Sequence, residues 1–192
     1  MRKWRRVETA DGPRFTSALE SHEVTLLMNM ATSVQEMLDE RQSTSPSDPL
    51  EQITGIRTGN PQRPEDGTMR RLLPDFVKDP RGDGVAGDGA NGALRSLHEP
   101  QIIDAKIAAA QRLVDTLPAG GGRLELTEDD AGAWIAAIND IRLSLGTILG
   151  IGPDGPDRLP DGHPMAAHLN VYQWLTVLQE YLVLGLMGKP IR

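Results

Sequence analysis

Histidine, serine and carboxylate side chains are the residues of this sequence that could bind a metal or transfer protons. His163 and His168 lie five residues apart with Pro164 between them, whereas two imidazoles share one helical face when they lie four residues apart. A zinc site needs three or four protein ligands, a set that this pair does not complete. The chain has no cysteine, so thiolate ligands, disulfides and thiol switches are excluded. We therefore predict no metal site.

Two other patterns resemble catalytic motifs but have simpler structural explanations. Carboxylates at 128–130 follow Thr127, and acidic groups in a first helical turn cap free N–H groups and complement the helix dipole. Thr127 and Asp130 therefore form a predicted capping box. The glycine-rich segment 82–92 lacks the Lys-Ser/Thr that follows a phosphate-binding loop, and no Gly-x-Ser-x-Gly nucleophile elbow occurs. We predict no catalytic residue, no cofactor and no enzymatic activity.

Basic residues cluster at two places, in "MRKWRR" at 1–6 and in "RRLLP" at 70–74, in a chain whose formal net charge is -7. One interpretation, which we favour, is a strand edge whose charges discourage pairing between molecules, with its tryptophan packed on a helix. The other is a basic surface for an acidic partner or for nucleic-acid phosphates. The acidic balance argues against non-specific DNA coating, and no helix-turn-helix with a basic second helix is visible. The candidate partner-binding residues are Arg2, Lys3, Trp4, Arg5, Arg6, Arg70 and Arg71.

Several helices and a few strands must position these residues. Asp11-Gly12 is a favoured turn pair, so residues 4–18 are predicted to form a β-hairpin, and 123–126 a further strand. Apolar residues at spacings of three and four predict the longer helices. Their ranges are 21–41, 93–118 with an interruption at Pro100, 127–148 and 165–186, and shorter helical segments are predicted at 48–55 and 68–74.

The last helix is apolar nearly all round. Such a helix is either central to the fold or half-covered by a second subunit, and we favour the central position. Tyr172 and Trp174, with Trp134 of the preceding helix, are predicted structural residues. Glu180 lies within this apolar helix and would need a partner if buried. The candidate cations for it are Arg70, Arg71, Arg95 and Arg123.

Together these elements predict a fold of the α+β class that is mainly α. About four longer helices pack around the apolar C-terminal helix, with a small antiparallel sheet from the hairpin plus one strand. We expect a single domain over 1–192, with flexible loops at about 42–66 and 77–92 where glycine, proline and serine cluster. No secretory signal or membrane span is visible, which predicts a cytoplasmic protein, monomeric or homodimeric, with no membrane partner.

The sequence resembles the DUF2017 family over nearly its whole length, except the loops around 42–66 and 77–91. The motifs that carry the resemblance are "MRKW", "DGPRF", "RRLLPDF", "LRSLHEP", "GRLELTE", "AWIAAIND", "RLPDGHP" and "VYQWLTVLQEYLV". None of these patterns has a known catalytic role. Members are often described as transcriptional regulators, some of them linked to oxidative-stress control in actinobacteria, and their genes commonly lie near the Clp protease adaptor.

The resemblance implies a protein that acts by binding. Redox-regulating members are described as using an N-terminal Cys-x-x-x-Cys pair, where this chain has Arg5 and Thr9, so thiol sensing does not carry over. We expect a non-enzymatic regulator that contacts the transcription machinery, such as RNA polymerase or a sigma factor, with auxiliary DNA contact. The alternatives are an accessory of Clp-type proteolysis and a protein-binding module of another kind.

Overall fold

The computed structural model describes residues 4–45, 55, 57–77, 85–152, 155–156 and 162–189. The predicted helical segment at 48–55 lies almost wholly outside them. All statements below concern the described part of the chain.

Three antiparallel strands form the predicted sheet in the order β1-β2-β3. Strand β1 is Arg5–Thr9, β2 is Gly12–Leu19 and β3 is Gly122–Leu126. The turn between β1 and β2 ends at Gly12, whose positive φ of 99° is a conformation that glycine adopts without steric cost. Alternate residues of β2 and β3 face the core, which buries their apolar side chains. The buried ones are Phe15, Leu19, Leu124 and Leu126.

Five helices account for most of the described residues, so the predicted mainly α class is confirmed. Their bounds are α1 Ser21–Ser43, α2 Gly67–Leu72, α3 Val85–Thr116, α4 Glu128–Ile148 and α5 Ala166–Leu186. The longer helices bury apolar residues at spacings of three and four. In α1, for example, the stripe is Val24, Leu27, Ala31, Val34 and Leu38.

Helix α3 differs from the prediction in where it begins and in its continuity at Pro100. It begins at Val85, so residues 85–92, which were predicted to be part of a flexible loop, are helical. It also continues through Pro100 without interruption. Proline lacks the N–H that would bond the carbonyl four residues earlier, and here the backbone N–H of Gly59 donates to Ser96 O at 2.8 Å instead.

The centre of the fold is α4, which packs against α1, α2, α3, α5, β2 and β3. Helix α5 packs mainly against α4 and buries only one face. That face consists of Leu175, Leu178, Leu182 and Gly185. The central position predicted for the C-terminal helix is therefore wrong: its apolar residues extend beyond its single packing face, and Val177 and Val183 are exposed.

Candidate interaction surface and buried charge cluster

The two described arginines of the N-terminal segment, Arg5 and Arg6, differ in their ion pairing. Arg2 and Lys3 fall outside the described residues. Arg5 is exposed at the start of β1 and has no carboxylate within ion-pair distance in the described part of the chain. Arg6 is also exposed, and its Nη2 lies 3.0 Å from Oε1 of Glu8 on the same strand. Among the described residues Arg5 therefore has no counterion, whereas Arg6 is paired.

Trp4 is part of the core. Its side chain is buried, and its ring meets that of Trp134 edge to face, with centroids 6.0 Å apart. Trp134 is itself fully buried and its indole N–H donates to Thr116 Oγ1 at 2.7 Å. The structure thus places Trp4 where the strand-edge interpretation expected it, on a helix, and removes it from any surface that a partner could reach.

The second basic pair lies on α2. Arg70 donates from Nε to Pro64 O at 2.9 Å and from Nη2 to Glu65 O. Arg71 donates from Nη2 to Ile151 O at 3.1 Å. Both side chains hold loops by their carbonyls, and neither has a carboxylate within ion-pair distance among the described residues. Backbone carbonyls carry no net charge, so no described residue neutralises the two positive charges of α2.

Helix α5 places its three singled-out residues at different depths. Glu180 is exposed, so water solvates its carboxylate and no arginine partner is required. Tyr172 is half-buried with the guanidinium of Arg142 over its ring, 5.1 Å from the centroid. Trp174 is half-buried against the core. Tyr172 therefore contributes to packing between α4 and α5, and Trp174 contributes to packing against the core.

A cluster of charges around the buried Arg95 and Glu99, which the sequence analysis missed, joins two of the family motifs. Arg95 of "LRSLHEP" is 1% exposed and donates from Nη1 to Glu99 Oε2 at 2.8 Å and from Nη2 to Asp75 Oδ1 of "RRLLPDF" at 2.7 Å. Arg41 of α1 donates from Nε to the other oxygen of Glu99 at 2.7 Å. Arg95 also bonds the carbonyl of Leu73 through both Nη atoms. We call Arg41, Asp75, Arg95 and Glu99 the buried charge cluster after its buried pair, Arg95 and Glu99; Arg41 is half-buried and Asp75 lies at the surface.

The buried charge cluster connects α1, α3 and the segment after α2. Burying a charge is costly unless it is paired, so each ion holds its counterion's element in place. A cavity of about 110 Å³ borders the cluster. Its lining is largely apolar. We assign the cluster a positioning role for these elements, and the only sequence signal for it was the spacing of four between Arg95 and Glu99 in a helix.

Two carboxylates of α4 have shifted pKa values. Burial acts to raise the pKa of Asp130, but hydrogen bonds from Thr127 and the guanidinium of Arg112 outweigh it and leave the pKa below its usual range. The capping box is confirmed, because the side chains of Thr127 and Asp130 each accept the other's backbone N–H. Burial raises the pKa of Asp140 despite a hydrogen bond from Lys106 Nζ at 2.6 Å.

Neither a metal centre nor a membrane helix is evident in the described part of the chain. No group of three or more histidines and carboxylates there could hold a metal ion. No described helix is both long enough and apolar enough to cross a bilayer.

Comparison with known proteins places the chain in a family. The model for the domain of unknown function DUF2017 matches residues 1–186. Proteins named oxidative stress regulator AosR from Mycobacterium bovis and Mycobacterium tuberculosis are 64% identical over 195 residues, covering 98% of this chain and 89% of the relative. A putative oxidative stress regulator AosR from Mycobacterium leprae is 60% identical over 194 residues, with the same coverage. No solved structure matches the chain. On a family match across nearly its full length, the chain belongs to the DUF2017 family.

Proposed function

We propose that this protein is a non-enzymatic regulator that acts through contact with the transcription machinery, either RNA polymerase or a sigma factor. The observation that carries the proposal is the 64% identity, over 98% of the chain, to proteins named oxidative stress regulators. Identity at this level preserves the fold. The absence of cysteine means that such a regulator would not sense oxidants through its own thiols.

The charges on the surface favour an acidic protein partner. Arg5, Arg70 and Arg71 are exposed, and none has a carboxylate within ion-pair distance in the described part of the chain. Unpaired arginines attract acidic surfaces and change association rates more than final affinity. Because the whole chain is acidic, these arginines are local sites and not a general polyanion-binding face. Contact with DNA, if made, is auxiliary.

The test is a cross-linked pull-down of the full chain from an actinobacterial host, read for polymerase subunits and sigma factors. The variants are Arg5→Ala and the pair Arg70→Ala with Arg71→Ala. Arg123→Ala is the matched control, because this exposed arginine lies on β3, at the opposite edge of the sheet from β1. We expect capture of a transcription protein that weakens in at least one test variant and persists in the control.

Two other outcomes would redirect the proposal. Recovery of Clp components without any polymerase subunit or sigma factor would instead support a function as an accessory of Clp-type proteolysis. Duplex DNA binding that falls steeply with salt, and disappears when Arg2, Lys3, Arg5 and Arg6 are changed to alanine, would make DNA the principal partner, since each phosphate contact adds to the salt dependence.

A further inference from the structure

Strand β1 presents a free edge to solvent. It is the outer strand of the three-stranded sheet, and no described strand pairs with its other side. All five of its residues are exposed, including Val7 at 43%. An edge strand offers a row of unpaired N–H and C=O groups to which another strand can bond.

The register of the hairpin determines which backbone groups face that edge. Val7 pairs with Arg14, and Glu8 pairs with Pro13. Residues of an antiparallel pair alternate between hydrogen-bonded and non-hydrogen-bonded positions. Because Pro13 has no N–H to donate, the bonded positions toward β2 are those of Arg5, Val7 and Thr9. The N–H and C=O groups of Arg6 and Glu8 therefore point to the free edge.

The charges of β1 select one register for a second copy of the same strand. If two copies of β1 pair antiparallel through Arg6 and Glu8, Arg6 of each copy lies opposite Glu8 of the other. The neighbouring registers would place Arg6 opposite Arg6 or Glu8 opposite Glu8, and like charges directly opposite destabilise a strand pair. The same arginine that discourages other pairings thus favours this one.

From these observations we propose that β1 is a self-association edge that pairs with β1 of a second copy of this chain. The two three-stranded sheets become one six-stranded sheet around a two-fold axis. Four backbone hydrogen bonds join Arg6 and Glu8 of the copies, and the two Val7 side chains meet at a non-hydrogen-bonded position. Two five-residue strands bury less than the roughly 1,200 Å² of stable interfaces, so the dimer is weak. The proposal is independent of the regulatory function proposed above.

Charge reversal tests the register. Sedimentation velocity of the full chain at up to about 500 µM, a range suited to a small interface, should show concentration-dependent dimers. Arg6→Glu alone and Glu8→Arg alone should be monomeric, because each places like charges opposite one another. An equimolar mixture of the two variants should dimerise again, because every opposed pair in the mixed dimer is then complementary. A circular dichroism spectrum for each variant verifies folding.

Two variants, each with a single cysteine, test the geometry of this strand pairing separately. The chain has no native cysteine, so Val7→Cys can form only an intermolecular disulfide. Opposed non-hydrogen-bonded residues have Cα atoms about 4.5 Å apart, a distance that a disulfide spans. Thr9→Cys is the control, because its copies lie four residues out of register, about 13 Å apart at ~3.3 Å per residue. With an added oxidant, Val7→Cys should cross-link at about ten times the rate of Thr9→Cys.

The proposal is overturned if the wild type stays monomeric throughout this range. It is also overturned if Arg6→Glu and Glu8→Arg dimerise as the wild type does, which would locate self-association elsewhere, for example on the outer face of α5. Equal cross-linking of Val7→Cys and Thr9→Cys would refute the register.

Discussion

Gly59→Ala is the substitution that most directly tests how the fold accommodates a proline within α3. Gly59 is buried against α3, and its backbone N–H donates to Ser96 O at 2.8 Å. Without this bond the Ser96 carbonyl would have no partner, because Pro100 has no N–H to donate to it. A Cβ atom at position 59 would lie 2.9 Å from both Arg95 O and Pro100 Cδ. Neither neighbour can rotate away, so the segment at Gly59 must move off the helix.

The expected cost has two parts. Overpacking at a site that cannot relax costs about 1–3 kcal/mol, and an unpaired buried carbonyl costs about 1–3 kcal/mol. The smaller conformational freedom of alanine in the unfolded chain offsets about 0.4–1 kcal/mol. The net destabilisation is therefore about 1–5.6 kcal/mol, or a fall in Tm of roughly 2–22 °C for a chain of this size.

Urea unfolding followed by circular dichroism measures the difference. Gly132→Ala is the matched control: Gly132 is exposed in α4 and nothing lies within 4 Å of the added Cβ. Alanine is the better helix former by about 0.5–1 kcal/mol, so the control should be neutral or stabilised. A Gly59→Ala protein within about 0.5 kcal/mol of wild type, the range of neutral surface changes, would refute the contact of this segment with α3.

Three further predictions concern buried polar and aromatic groups. Glu99→Gln should lower the free energy of unfolding in urea by about 3 kcal/mol or more, because it leaves buried guanidinium charge uncompensated. Asp104→Asn, at an exposed ion pair, should lower it by less than about 1 kcal/mol. The pKa of Asp130 is lower in the folded than in the unfolded chain, so the carboxylate stabilises the fold above the unfolded-state pKa, and this contribution is lost as pH falls through the folded-state pKa. Thermal melts between about pH 5 and pH 2 should therefore show a smaller acid-induced fall in Tm for Asp130→Asn than for wild type. Trp134→Ala should lower the free energy of unfolding by about 3–5 kcal/mol, and Trp174→Ala by clearly less, because only Trp134 is fully buried. Equal losses in chemical denaturation would contradict this difference in burial between the two tryptophans.

Local patterns predicted most of the secondary structure correctly. The capping box at Thr127 and Asp130 needs only neighbouring residues, and it is present as predicted. The helical start at Val85 was missed because glycines in that segment disfavour a helix locally. The backbone N–H of Val77 donates to Asn91 Oδ1 at 3.0 Å, and Asn91 Nδ2 donates to Val77 O at 3.0 Å. These two bonds hold this turn of α3 from outside the helix. Tertiary contacts of this kind leave no periodic signal.

The amino-acid sequence by itself determined the fold class, the family and the absence of thiol chemistry. These follow from apolar spacing, from motifs along one chain and from composition, all of which are local or additive properties. Only the tertiary structure decided that α4 and not α5 is central, that Glu180 is solvated and that Arg41, Arg95, Glu99 and Asp75 meet. The physical reason is that burial and ion pairing depend on which elements approach one another, and contacts across 58 residues, as between Arg41 and Glu99, are created by packing.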